Sequence, residues 1–280
     1  MNSWSKKIAL AVAGALSVSG FLICQLPASA APAGWQLVWT DEFDVEGAPD
    51  PARWRCDVGG AGWGNKELQF YTDARLENAR VEQGHLVIEA RREEWQGSDY
   101  TSARLTTKGC GDWTGGRFEI RARLPQGRGT WPAIWMLPSS SPFGNGGWPD
   151  NGEIDIMEHV GFDAGNLHAS THSQAHQWPK RNQRTGSTLV PDVATASHTY
   201  VLEWDAEEIR VSVDDRCYFT SRRDGGDWTV WPFIHDFHLI LNVAVGGTWG
   251  GMKGVDPAVF PQRMEVDYVR VYQRATSVEP

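Results

Sequence analysis

Three acids crowd one short stretch of the chain, Asn151-Gly152-Glu153-Ile154-Asp155-Ile156-Met157-Glu158-His159-Val160. Glu153, Asp155 and Glu158 are interleaved with Ile154, Ile156 and Met157, a pattern that reads as a β-strand. Side chains at i and i+2 share a strand face, so Glu153 and Asp155 point one way and the isoleucines the other. Glu158 breaks the alternation, which would bury it with the isoleucines. A one-residue β-bulge near Met157 returns it to the face of the other two, and bulges gather beside active sites because they re-aim a side chain. Like charges on one face destabilise a strand, so the arrangement suits chemistry better than structure. Paired carboxyls, one protonated near neutral pH and one ionised, provide the nucleophile and the acid/base of a retaining glycosidase. Asp155, shorter and between the two glutamates, is placed to hold the nucleophile. The competing reading is a solvated acidic face. The large apolar residues between the acids weigh against it.

Other residues offer surfaces that such a site would need. The chain has 15 tryptophans, and an indole suits the apolar face of a sugar ring. Trp131 and Trp135 are four apart and share a strand face. Trp148 lies in the loop before the acidic strand, and Trp249 in a glycine-rich loop, 245–251, expected to be flexible. These four are candidate substrate contacts, with core packing as the alternative. Trp39, Trp54, Trp204 and Trp231 are read as core or scaffold. His168, His172 and His176 repeat every four residues, which on a helix would suggest metal ligands. Their segment reads as strand and no His-Glu-x-x-His occurs, so a hydrolytic zinc site is not expected.

The elements that must carry these residues are short and alternating. Runs at 86–90, 116–124, 200–204, 209–213, 217–219, 237–245 and 264–272 lie between Gly, Asp, Asn and Pro breakers. The run 237–245 is apolar throughout, as in a strand buried on both faces. About a dozen strands without helical spacers predict an all-β antiparallel sandwich. Loops are expected at 92–100, 138–150 and 174–197. No repeat or linker divides the chain, which reads as one domain over 31–280 with a core at about 34–273.

Composition sets the outer bounds. The chain has 280 residues, 41% of them hydrophobic, which excludes global disorder. A net charge of −9 with no basic run excludes a nucleic-acid binder and disfavours sulfated polymers as substrate. Residues 1–30 read as a secretory signal peptide: Lys6 and Lys7, an apolar stretch, then Ala28-Ser29-Ala30. A secreted protein, a monomer with no membrane association after cleavage, is the expectation. Export leaves Cys56, Cys110 and Cys217, from which one disulfide and one buried thiol are expected.

Beyond the acidic strand, four segments extend the pattern: Trp39-Thr40-Asp41-Glu42-Phe43, Trp63-Gly64-Asn65-Lys66-Glu67-Leu68-Gln69, Trp131 to Leu137, and Pro261 to Tyr272. Together with Glu153-Ile154-Asp155-Ile156-Met157-Glu158 they resemble glycoside hydrolase family 16, in its bulged form and nearest its bacterial laminarinase branch. The resemblance implies a β-jelly-roll of two curved sheets, concanavalin-like, with a concave substrate cleft. It implies endo-β-1,3-glucan hydrolysis with retention, Glu153 as nucleophile, Asp155 as its assistant and Glu158 as acid/base. It implies Asn65 as a sugar ligand, with Glu67 structural, and a cleft histidine near the acid/base, His172 before His168. No catalytic cofactor is implied, but a structural calcium at Glu42, Gly84 and Asp267 is. Lichenases lack the bulge residue, whereas agarases and carrageenases keep it. Mixed-linkage glucan, agarose or carrageenan, transfer to sugar instead of water, and a binding lectin on the same scaffold are the alternatives.

Overall fold

The computed structural model describes residues 31–275; the segment read as a signal peptide lies outside the described residues. Short alternating runs cannot bury their apolar face alone, so they pair into two sheets that close on a shared core. One sheet has ten strands, ordered Arg216–Arg222, Glu208–Val213, His198–Trp204, Gly116–Arg123, Gln262–Arg274, His85–Trp95, Ser98–Ser102, Gln69–Tyr71. Trp35–Asp41 pairs with Gln262–Arg274 and Ala79–Glu82 with His85–Trp95. The other sheet has eight strands, ordered Arg184–Leu189, Asn166–His172, Glu153–His159, Thr130–Pro138, Phe237–Val245, Arg104–Thr106, Arg55–Cys56, with Asp112–Trp113 beside Phe237–Val245. The sandwich is the two-sheet jelly-roll expected.

Between the sheets lies one cluster of buried side chains, including Phe118, Ile120, Leu202, Val211, Ile134, Met136, Ile154, Ile156, Leu241 and Val266. Ile154 and Ile156 are fully buried there, which obliges their neighbours Glu153 and Asp155 to face outward. Phe237–Val245 is buried at all nine positions, as its unbroken apolar run predicts. Trp54, Trp204 and Trp231 are core residues and Trp39 packs against them.

Several expectations are corrected. The segment 92–100 is mostly strand, a hairpin between His85–Trp95 and Ser98–Ser102 that turns at Gln96-Gly97, both with positive φ. Its charged residues face solvent, which hid the alternation. The segment 174–197 holds a 3-10 helix, Trp178–Lys180, and the edge strand Arg184–Leu189. Not every pairing is antiparallel: Gln69–Tyr71 runs parallel to Ser98–Ser102, since the chain completes two other strands between them and returns in the same sense. The expected disulfide is absent among the described residues. Cys56, Cys110 and Cys217 are all free, and none is fully buried.

Candidate active site

The cross-strand register shows how the acids reach one face. Glu153 lies opposite His172, Asp155 opposite Ser170 and Glu158 opposite His168. The partners His168, Ser170 and His172 are spaced by two, so they share a face, and so do the acids they oppose. On the other side Trp135 opposes Asp155 and Ala133 opposes Glu158. In both pairings the register shifts between Asp155 and Glu158, where Ile156 and Met157 fit the extra residue into the core. The bulge expected near Met157 is present and does what alternation could not. Gly152 immediately precedes this strand with φ +87°, and a Cβ there would press at 3.0 Å on Pro232, Phe233 and Phe237. Only glycine combines that backbone conformation with such close packing.

Each acid meets a different partner. Glu153 Oε2 accepts the Trp148 indole N–H at 3.0 Å, and Glu158 Oε1 accepts the Trp131 indole N–H at 3.1 Å. His172 Nδ1 accepts the backbone N–H of Trp178 at 3.3 Å. With Nδ1 engaged as an acceptor, the ring proton sits on Nε2, which lies 3.2 Å from Asp155 Oδ2 and 3.8 Å from Glu153 Oε1. A cleft histidine was expected near the acid/base Glu158. The structure sets His172 against Glu153 and Asp155, and gives the position opposite Glu158 to His168. Sequence spacing could not choose between them, because both share the face and only register separates them.

No lysine or arginine pairs with these carboxyls among the described ion pairs. Burial, with Asp155 pressing electrostatically on both glutamates, pushes Glu153 and Glu158 up to about 8. Burial alone pushes Asp155 to about 8. Such groups titrate as a unit, so the face holds protons near neutral pH while supporting an anion. His172 and the Trp148 indole favour the anion at Glu153.

An aromatic and amide wall flanks the acids. Trp135 Nε1 donates to Asn242 Oδ1 at 2.7 Å, and Asn242 Nδ2 donates to the Tyr71 hydroxyl at 3.0 Å. That hydroxyl donates to Glu67 Oε2, which also accepts from Gln69, while Glu67 Oε1 accepts from Asn65 Nδ2 at 3.2 Å. The Arg104 guanidinium lies 4.7 Å from the Trp135 ring and 4.8 Å from the Trp63 ring, with Nε donating to Asp57. Asn65 and Trp135 are thus two ends of one network, and Glu67 is its part-buried hinge. Asn242, Tyr71, Trp63 and Arg104 were not singled out in the sequence; the Arg104 and Asn242 positions are opposite one another across strands, a relation that no local pattern reveals. A pocket of about 240 Å³ opens beside them, lined by Arg104, Lys108, Trp148, Gly152 and His238.

Trp249 is not on a loose loop. Its ring meets Trp131 edge-on at 5.6 Å and His168 at 4.9 Å. The turn is tied down by Thr248 N–H to Asn65 O and by Gly251 N–H to Gly247 O. The expected calcium ligands Glu42 and Asp267 each lie beside an arginine. Glu42 takes two hydrogen bonds from Arg270, at 2.8 and 2.7 Å, and Asp267 pairs with Arg121 at 3.1 Å. Both acids thus have guanidinium partners, with which a hard cation would compete for carboxylate oxygens. Gly84 is the turn residue between Ala79–Glu82 and His85–Trp95, with φ +76°.

A two-sheet β-sandwich whose open face holds desolvated carboxyls between indoles has the make-up of a glycoside hydrolase. The model described as glycosyl hydrolases family 16 matches residues 64–270, and the chain belongs to that family. It is 58% identical over 244 residues to a beta-glucanase of Rhodothermus marinus, covering 85% of each chain. It is 40% identical to a glucan endo-1,3-beta-glucosidase of Cryptopygus antarcticus, covering 84% of this chain and 91% of that one. The solved laminarinase of Rhodothermus marinus superposes with a TM-score of 0.85 at 58% identity, covering 86% of this chain and 98% of that structure.

Proposed function

We propose that this hydrolase is a secreted, retaining endo-β-1,3-glucanase cutting internal bonds of laminarin-like glucans, with residues 31–280 as one catalytic domain. The observation that carries the reaction is the bulge that brings Glu158 onto the face of Glu153 and Asp155. The names of the relatives, glucan endo-1,3-beta-glucosidase and laminarinase, support the linkage. The signal-like pattern of residues 1–30 supports export.

In this reading Glu153, the anion favoured by His172 and Trp148, attacks the anomeric carbon. The carbon–oxygen bond to the departing chain breaks as protonated Glu158 gives that oxygen its proton. Glu158, now a base, takes a proton from water, whose oxygen displaces Glu153 and restores both groups. Asp155, buried and raised, holds a proton between them and orients Glu153. Trp131, Trp135, Trp148, Trp249, His172 and Asn65 hold the sugar.

Product analysis tests the reading. Protein lacking residues 1–30 is incubated with laminarin, curdlan, lichenan and agarose, and the released sugars are separated over time. A ladder of short oligosaccharides from laminarin and curdlan, initially with the β-anomer at the new end, is expected. Products from lichenan or agarose alone would keep the chemistry and overturn the linkage; no product from any would overturn the reading.

A further inference from the structure

On its His172 side the carboxyl face ends in a rim that carries an indole with no part in the steps above. Trp178 opens the 3-10 helix Trp178–Lys180 and is 59% exposed, the most open of the described tryptophans. Its backbone N–H is the donor that holds His172 Nδ1, so the residue sits one hydrogen bond from the imidazole facing Glu153 and Asp155. Trp148, 49% exposed, lies against the same imidazole with ring centroids 5.7 Å apart. Single exposed apolar side chains are common and mean little by themselves. Here two residues with open indoles meet one imidazole, Trp148 through its ring and Trp178 through its backbone N–H.

The rim is also held in place. Within the Trp178 loop, Gln177 N–H donates to Asn182 Oδ1, Asn182 Nδ2 to Ala175 O, and His176 N–H to Ser173 Oγ. Ala175 N–H reaches across to Thr229 O. The neighbouring Trp228 stacks on Phe143, with planes 3° apart and centroids at 5.8 Å. Phe143 belongs to the loop that carries Trp148, and both its backbone groups bond the Asn151 side chain. The loops of Trp148 and Trp178 are therefore joined through 228–229. An indole presented by an ordered loop loses little conformational freedom on binding.

We propose that Trp178, with Trp148, forms a stacking platform for glucosyl units of the polymer beyond those at the carboxyls, making Trp178 a specificity-determining residue for long chains. The flat, apolar faces of β-linked glucose are the chemistry that such a platform takes. The proposal rests on the β-glucanase reading, and its test separates the two.

Trp178→Ala removes the indole but keeps the backbone N–H that holds His172; Trp178→Phe keeps a flat face. Binding is measured by calorimetry in a Glu153→Gln background with laminarihexaose. A rise in Kd of about tenfold is expected for Trp178→Ala, with most of the loss recovered in Trp178→Phe, the size of one aromatic stacking contact. In protein with Glu153 intact, KM for laminarin should rise about as much. The rate on nitrophenyl β-laminaribioside, too short to span the rim, should stay within about twofold. An unchanged Kd would overturn the platform. So would equal losses on polymer and short substrate, since that marks a structural effect through His172. Hexaose binding that depends on Trp178 in a protein that cleaves no laminarin would sustain the platform and overturn the hydrolytic reading alone.

Discussion

The outward faces of the two sheets both carry acids on their strands, and they treat them in opposite ways. On the ten-stranded sheet the acids are interleaved with arginines. Arg117 bonds Glu119 and Glu203, Arg123 bonds Glu265, and Arg270 grips Glu42 with two hydrogen bonds. The Arg270 guanidinium holds Glu42 below the usual carboxylate range, as Arg80 does Glu82 and Arg75 does Glu93. On the eight-stranded sheet Glu153, Asp155 and Glu158 have indoles and one imidazole instead, and all are raised to about 8. The same residue type at the same kind of strand position becomes a fixed anion on one sheet and a proton store on the other. What differs is the neighbouring side chain. A guanidinium stabilises the anion; desolvation beside another carboxyl stabilises the acid.

The sharpest way to break this contrast is to remove charge from the raised face. Glu153→Gln and Glu158→Gln should each lose at least about a hundredfold in rate on laminarin, yet fold. A carboxyl whose folded pKa is raised contributes stability below its unfolded value, lost as pH rises through about 8. The amide variants lack that loss. Their melting temperature should match the parent near pH 4 and exceed it by a few degrees at pH 8.5, about 1 kcal/mol. Normal turnover, or lower stability than the parent at pH 8.5, would contradict the account.

A smaller effect is expected in the wall beside the acids. Asn242→Ala leaves the Trp135 indole N–H without its acceptor and the Tyr71 hydroxyl without its donor. Stability should fall by about 2 kcal/mol, the cost of orphaned buried polar groups. KM should rise several-fold with kcat nearly kept, because Trp135 loses its orientation while the carboxyls do not. An equal fall in kcat would place Asn242 nearer the chemistry than the network does.

The smallest effect belongs to the arginine-laced sheet. Glu42→Gln should leave activity on laminarin unchanged and lower unfolding free energy by about 1 kcal/mol at pH 7, a half-exposed ion pair being worth little more. Glu42 is lowered from 4.5, so its contribution is full above that value and is lost as pH falls through the folded pKa. The difference between variant and parent, followed by denaturant titration, should vanish near pH 2. A difference that persists there would be packing rather than charge.

Much of this molecule is written in local alternation. The acid strand, the need for a bulge at Met157, the doubly buried Phe237–Val245 and the absence of helical spacers all follow from which residues stand two apart, because a strand repeats every two residues. What alternation cannot carry is adjacency between distant segments. Asn242 lies 107 residues from Trp135 and 171 from Tyr71, and they meet only once the sheets are assembled. That Glu42 and Asp267 have Arg270 and Arg121 beside them also appears only on folding. His168 and His172 share a face in the sequence, and only the register with Glu153–His159 shows which of them meets Asp155. The chain's own pattern determined which side chains leave the core. The tertiary structure decided which neighbours they met, and through those neighbours which acids keep their protons, since charge and desolvation act through space.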